Sequence, residues 1–348
     1  MRDSKLGPVR HPGTVAGSSA VNTFRTSPLP DGRSSRTTLM RRSTPAIAIG
    51  AFNVGSQGKY MNEVEPTAHR FFSQRLALNY FDWGNPTAPP LVMVHGGMDH
   101  ARSWDWIARK LCRDWHIICP DLRGHGDSAW SPDGSYALPF YVSDLAQLIH
   151  QISEQPVSII AHSLGAAISL RFASLYPERV RRLALIEGVG VSHFDRDDAK
   201  TSTQIWRDWI TDRRALSARS PRRYATLDEA FARMRQENSQ LSIDRATHLT
   251  KHGTVRNEDG TWSWKYDNYV RSFIPMGLPG EQLQDSWAAI ECPVWLIHGA
   301  NSWAEHPDMD RRVANLRNAR ITSYTDAGHW VHHDRFDNFL PDLKEYLQ

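Results

Sequence analysis

Two segments of the sequence carry side chains that could attack a carbonyl carbon together. The first is Ala161-His162-Ser163-Leu164-Gly165, a serine flanked by small residues where one apolar run stops and another begins with different spacing. The second is Ala327-Gly328-His329, late in the chain. A serine hydroxyl is a poor nucleophile until a base takes its proton. Ser163 is therefore the predicted nucleophile and His329 the predicted base.

The surroundings of Ser163 predict a sharp turn between a strand and a helix. Small residues on both sides let the backbone turn tightly and expose the hydroxyl, and the following helix directs its positive end at the same place. Ala161 stands where the G-x-S-x-G pattern has glycine. His332 and His333 are rival bases, but at the start of the last helix we expect a surface or capping role for them.

Backbone amides can stabilise the negative charge that forms on an attacked carbonyl oxygen. The N–H of Leu164, next after the serine, is one predicted donor. The loop His95-Gly96-Gly97-Met98 supplies the other, with Gly97 as first candidate and Met98 as second. We expect the His95 side chain to hold this loop by hydrogen bonds.

Several residues are candidates for the acid that should orient His329. The residues after the late apolar run, Asn301 and Ser302, are not carboxylates. Glu187 ends the apolar run that follows the serine's own strand, so its side chain could reach His329. Glu187 is the predicted acid, and Glu305, Asp308, Asn301 or no acid at all remain alternatives.

These side chains need a scaffold, and the hydrophobic pattern predicts one. Short continuous apolar runs alternate with segments of helical spacing, which indicates an α/β fold with a parallel sheet covered by helices on both faces. Predicted strands cover 91–95, 116–121, 157–162, 182–188 and 293–300, and predicted helices cover 103–112, 139–152 and 164–175.

Two segments of the chain lack the alternation of strands and helices. Residues 1–60 are basic and rich in Ser, Pro and Gly, which predicts a disordered leader: an upstream extension before Met61, a targeting segment or a functional basic arm. Residues 61–188 and 287–348 form the predicted core. Residues 189–286, with long charged helical stretches and almost no strand pattern, form a predicted helical cap.

Composition excludes some classes of protein. Residues 1–60 hold nine Lys/Arg and two Asp, a charge of +7, so the rest of the chain carries −4 of the total +3. That balance argues against nucleic acid as a partner. No apolar stretch is long enough for a membrane span. Three separated cysteines (Cys112, Cys119 and Cys292) indicate free thiols in a reducing compartment, so a cytoplasmic location is expected unless residues 1–60 target an organelle.

Together these motifs resemble the α/β-hydrolase superfamily over about residues 70–348. The segments that carry the resemblance are "VMVHGGMDHARSWDW", "ICPDLRGHGDS", "AHSLGAAISLRFASLYPERV" and "DAGHWVHHD". The resemblance implies an eight-stranded, mostly parallel sheet with a helical cap, and a covalent acyl-serine mechanism without cofactor or metal. Glu187 looks like the acid position of haloalkane dehalogenases, but those enzymes and epoxide hydrolases use an aspartate nucleophile, which Ser163 is not.

The resemblance is greatest to the serine hydrolase-like and general esterase branch. It implies a hydrolase for a small-molecule ester, thioester or lactone. A carbon–carbon bond hydrolase acting on a diketone-like compound can use the same side chains, and a non-catalytic ligand receptor on this fold is a third possibility. The oligomeric state is left open by the sequence.

Overall fold

A computed structural model describes residues 64–189, 200–272 and 286–348 of the chain. The predicted leader, residues 1–60, lies outside the described residues, as do residues 190–199 and 273–285 of the predicted cap. None of the helices in the described ranges has the length and apolarity that crossing a membrane requires.

The described residues form an eight-stranded sheet in the order β1-β2-β4-β3-β5-β6-β9-β10. β1 and β2 pair antiparallel, β2 runs antiparallel to β4, and the other pairings are parallel. The predicted fold class is thus confirmed. The strands are β1 Thr67–Ser73, β2 Leu76–Asp82, β3 Pro90–Val94, β4 His116–Pro120, β5 Val157–His162, β6 Val180–Ile186, β9 Val294–Gly299 and β10 Ala319–Tyr324.

Helices cover both faces of this sheet, which explains why its central strands have apolar residues on both faces. On one face, α2 and α3 pack with alternate strand residues such as Val92 and Ile159. On the other face, α1 and α8 pack with the intervening residues such as Met93 and Ile160. The helices around the sheet are α1 Asp105–Leu111, α2 Leu138–Ile152, α3 Leu164–Leu175, α7 Val331–Asp334 and α8 Phe336–Leu347.

The described part of the segment between β6 and β9 is mainly helical, as the charge pattern indicates. It contains α4 Ser202–Ser217, α5 Leu227–Glu237 and α6 Ile243–Gly253. It also contains an antiparallel hairpin, β7 Thr254–Arg256 and β8 Trp262–Trp264, that the sequence analysis missed. The signal was present, because β-branched and aromatic residues flank Asp259-Gly260, a favoured turn pair.

The segment is attached to the core through the loop that follows β4. The hydroxyl of Tyr136 donates a hydrogen bond to Asp267 Oδ2 (2.6 Å), and the amide of Asp267 donates to the carbonyl of Gly124 (2.9 Å). Tyr136 and Asp267 are both buried. A buried charge-assisted hydrogen bond of this kind fixes where the segment sits on the core.

Gly188 allows the end of β6 to approach the helix that follows β5. A Cβ built on Gly188 would lie 1.9 Å from the Cβ of Ala166 and 3.1 Å from the carbonyl oxygen of Ser163. Real Cβ atoms do not approach this closely, so the backbone after β6 must carry glycine here.

Gly188→Ala should therefore destabilise the protein by about 1–3 kcal/mol, the usual cost of overpacking. Gly328→Ala is the matched control, because its Cβ would meet no atom closer than 3.4 Å. Urea unfolding of both variants measures the difference. Equal stability of the two variants would contradict the close approach of β6 and α3.

Candidate active site

Ser163 lies at the sharp turn between β5 and α3. Its backbone has φ +50° and ψ −116°, a region that residues other than glycine rarely adopt. The turn is held by the Ser163 amide, which donates to the carbonyl of Ile186 (2.8 Å). Gly165 lets the start of α3 lie against β3, since a Cβ there would be 2.5 Å from the carbonyl oxygens of Val94 and His95. The predicted turn is present, and it presents the hydroxyl at the carboxyl end of the sheet.

His329 faces this hydroxyl from the loop between β10 and α7. Its Nε2 lies 2.9 Å from Ser163 Oγ, and its Nδ1 lies 3.2 Å from Glu187 Oε2. A carboxylate can only accept, so Nδ1 carries the proton and Nε2 accepts from the serine hydroxyl. The indole of Trp303 lies tilted against the imidazole with ring centroids 4.6 Å apart. The arrangement is the one that a base needs in order to receive the serine proton.

Glu187 follows β6 and is buried. Two donors from the end of β9 hold its carboxylate: the amide of Gly299 donates to Oε1 (2.6 Å), and the hydroxyl of Ser302 donates to Oε2. Oε2 is also the oxygen that faces His329. The backbone of Glu187 has φ +56°, so this residue, like the serine, sits in a left-handed conformation at a strand end.

The other candidates for the acid and the base lie elsewhere. Glu305 and Asp308 are exposed, and Asp308 pairs with His306 (3.5 Å). Asn301 is exposed, and its backbone N–H donates to the carbonyl of Ala327.

His332 and His333 do not have the surface or capping role that we expected, because both are buried. His332 is stacked on the indole of Trp104 with ring centroids 4.7 Å apart. The four-residue helix α7 turns these two rings inward, and the sequence pattern did not signal this turn.

The loop after β3 lies beside the serine turn. A Cβ on Gly96 would be 3.2 Å from the Cβ of Ser163, and one on Gly97 would be 3.9 Å from the side chain of Leu164. Within the described ranges, the amides of Gly97, Met98 and Leu164 have no backbone or side-chain acceptor. Free amides next to the nucleophile are what an oxyanion site requires.

His95 holds this loop in place. The amide of Leu122 donates to its Nε2 (3.0 Å), so its Nδ1–H donates to the carbonyl of Gly96 (2.7 Å). Burial keeps the pKa of His95 well below its usual value, with nearby His125 acting in the same direction. The ring is therefore a neutral structural element with both nitrogens used.

His162 is a residue of the site that sequence reasoning did not single out. Its Nε2–H donates to the carbonyl oxygen of His329 (2.8 Å), and its ring centroid lies 4.8 Å from that of His329. Burial, followed by the nearby His329 and His332 rings, lowers the pKa of His162 well below its usual value. The residue before the serine thus supports the loop that carries the base, a role visible only once the strands are placed side by side.

Buried neutral histidines make the fold sensitive to acid. Burial is the largest cause of a lowered pKa in each of the six buried histidines of this group, and the pKa falls to about 3 for His100 and about 4 for His125. In the unfolded chain these groups protonate near pH 6.5. Below that pH, each therefore lowers the free energy of unfolding by up to about 1.4 kcal/mol per pH unit. The six are His95, His100, His125, His162, His332 and His333.

Some buried carboxyls act in the opposite direction, because burial raises the pKa of Asp99 to about 7 and that of Asp121 to about 6. The folded state binds these protons more readily than the unfolded chain, so they favour folding as the pH falls. Burial also raises the pKa of Asp144 and that of Asp334. These four carboxyls do not balance six histidines between pH 6.5 and 5, and the net effect there is loss of stability.

We therefore expect the urea midpoint to fall between pH 7 and pH 5, and to fall less in His332→Phe. Neither ring nitrogen of His332 has a hydrogen-bond partner within the described ranges, and a phenyl ring preserves the stacking on Trp104 without the proton. His150→Gln, at an exposed position on α2, is the control. An identical loss in His332→Phe and wild type would show that His332 is not buried as a neutral ring.

Comparison with known families identifies the family to which this fold belongs. Residues 89–336 match the family model described as alpha/beta hydrolase fold. That match covers more than half of the chain, so the chain belongs to this family and is an α/β-hydrolase.

Several known proteins and solved structures are similar to this chain. A serine hydrolase-like protein of Danio rerio is 30% identical over 53% of this chain, and the match spans 57% of that protein's length. An esterase of Mycobacterium tuberculosis is 27% identical over 74% of this chain and 82% of its own. Among solved structures, a hypothetical protein of Pseudomonas aeruginosa superposes with a TM-score of 0.69 at 25% identity, covering 80% of this chain and 97% of the other.

Proposed function

We propose that the protein is a serine hydrolase that cleaves a small carboxylic ester, thioester or lactone through an acyl-serine intermediate. The observation that carries the proposal is the continuous chain from Ser163 Oγ through the imidazole of His329 (2.9 Å) to the buried Glu187 (3.2 Å). The name of the Mycobacterium tuberculosis relative, an esterase, supports an ester as the substrate.

The geometry supports the following sequence of steps. Ser163 Oγ attacks the substrate carbonyl while His329 Nε2 takes its proton, and Glu187 stabilises the imidazolium that forms. The amides of Leu164 and Gly97, with Met98 as the alternative to Gly97, stabilise the oxyanion. The imidazolium returns its proton to the leaving alcohol or thiol, which leaves the acyl group on Ser163. His329 then activates a water molecule, which releases the acid and restores the serine.

Ser302 acts in this scheme as a positioning residue. Its hydroxyl donates to the Glu187 oxygen that faces His329, while the Gly299 amide holds the other oxygen. With both oxygens anchored, the carboxylate cannot rotate away from the imidazole. A fixed acceptor keeps the proton of His329 on Nδ1, which leaves Nε2 free to act as the base.

Residues 189–286 would serve as a cap over the carboxyl edge of the sheet. The described part of this segment contacts the loops that follow β3 and β4, through Leu249 and Asp267. Loops at this edge are where ligands bind in open α/β sheets. The cap would therefore set the size of substrate that reaches Ser163.

Turnover of a p-nitrophenyl ester series from acetate to octanoate should be measurable in wild type and lost in Ser163→Ala. A fluorophosphonate probe should label wild type and not the variant, because it reacts with the activated hydroxyl. The chain-length preference would measure the space under the cap.

The outcomes distinguish the rival functions. Labelling without ester turnover would point to a carbon–carbon bond hydrolase, and diketone substrates would be tested next. A protein that neither turns over esters nor reacts with the probe would be a non-catalytic ligand receptor, and the proposal would be wrong.

Glu187→Gln should lower kcat by about 10⁴-fold, because an amide cannot stabilise the imidazolium and favours the wrong tautomer. Ser302→Ala should lower it by only about tenfold, since one hydrogen bond to a charged group is lost and the Gly299 amide remains. Asp308→Asn is the matched control at an exposed carboxylate of the same loop region. A larger loss in Asp308→Asn than in Glu187→Gln would reassign the acid.

A further inference from the structure

A cluster of metal-ligand side chains lies where α1 of the core meets α6 of the inserted segment. Asp105 opens α1, and His248 and His252 stand four residues apart on α6. One ligand atom of each residue lies within 4.8 Å of those of the other two. None of the three belongs to the Ser163 site.

We propose that Asp105, His248 and His252 bind a divalent transition metal such as Zn²⁺, and that the metal clips α6 to α1. Two histidines at i and i+4 share one face of a helix, which is a common way of holding zinc. A carboxylate from a second element completes a three-ligand set that leaves a fourth position for water.

The distances suit such an ion after small side-chain rotations. His248 Nε2 and Asp105 Oδ2 are 3.2 Å apart, close to the roughly 3.3 Å edge of a tetrahedron with zinc–ligand bonds near 2.0–2.1 Å. The rings of His248 and His252 have centroids 4.4 Å apart.

The backbone around the cluster is already fixed. His100 Nε2–H donates to the carbonyl of Leu249 on α6 (3.1 Å), and a Cβ on Gly253 would lie 2.9 Å from the His100 ring. Trp106 contacts His248 edge-on with centroids 4.6 Å apart. The ligand side chains therefore lose little conformational entropy when the ion binds, which favours binding.

Asp105 also pairs with Arg102, and this contact is compatible with a metal. Arg102 Nε lies 2.8–2.9 Å from the two carboxylate oxygens, Arg102 Nη2 lies 2.6 Å from Oδ2, and Arg109 Nη2 lies 3.5 Å from Oδ2. The two oxygens together offer about four lone-pair positions. His248 Nε2 lies 3.1 Å from the carbonyl oxygen of Arg102 as well as 3.2 Å from Asp105 Oδ2. A metal would replace the proton that His248 directs at these two oxygens and would leave the contact with the Arg102 guanidinium in place. Glu65 pairs with Arg102 (2.7 Å) and Arg109 (2.5 Å), so it offsets part of the positive charge around the site.

The test is Co²⁺ titration of the full-length protein after chelator treatment, followed by visible absorption, with Zn²⁺ as competitor. Wild type should bind one Co²⁺ with the absorption of a four-coordinate site, and Zn²⁺ should displace it. His252→Gln should weaken binding by at least about 100-fold, since loss of even an outer-shell partner costs 10–100-fold. Zn²⁺ should also raise the Tm of wild type and not of this variant.

Three controls make the result specific. The side chain of His252 is only half-buried and makes no hydrogen bond within the described ranges, so His252→Gln should keep the metal-free Tm of wild type. His150→Gln, on exposed α2, should bind Co²⁺ like wild type. Ser163→Ala should also bind normally, so the outcome is independent of the proposed hydrolase activity.

Two results would overturn the proposal. One is the absence of stoichiometric Co²⁺ binding by wild type. The other is binding that persists in His252→Gln and disappears in His329→Gln, which would place the ion at the candidate active site.

Discussion

The left-handed backbone at Ser163 is the constraint on which the rest of the site depends. At φ +50° the serine cannot continue β5 and cannot yet belong to α3, so its side chain projects between them. A conformation of this kind costs of order 1–3 kcal/mol and persists only where the surroundings fix it. Here the fixing contacts are the bond from its amide to Ile186 and the close packing that Gly165 and Gly188 allow.

Four other strand ends supply the remaining groups of the site. β3 leads to the Gly96-Gly97 loop, β6 to Glu187, β9 to the donors Gly299 and Ser302, and β10 to His329. In a parallel sheet the carboxyl ends of all strands lie at one edge, so residues distant in the chain become neighbours. The order and direction of the strands therefore bring these groups of the site together.

Much of this arrangement could be predicted, because it depends on local patterns. The strand-to-helix turn at Ser163 and the bounds of α3 follow from apolar runs interrupted by small residues. His329 follows from chain order and the preceding glycine. The inward direction of His332 and His333 could not be predicted, because it depends on the packing of α7 against Trp104. The same holds for Ser302, whose contact with Glu187 joins the ends of two separate strands. The β7–β8 hairpin was missed for another reason: charged helical stretches on its N-terminal side masked a short Asp-Gly turn signal.

The position of Glu187 has a consequence for how such sites diverge. The oxygen that faces His329 is approached from two strands: β6 supplies the carboxylate, and β9 supplies the Ser302 hydroxyl that touches it. A carboxylate carried at position 302 would start within hydrogen-bond distance of the same oxygen, and so beside the same imidazole nitrogen. An acid at the end of either β6 or β9 could thus occupy the position beside the imidazole of His329. A lineage could move it from one strand to the other through intermediates that carry both groups, without ever losing the base.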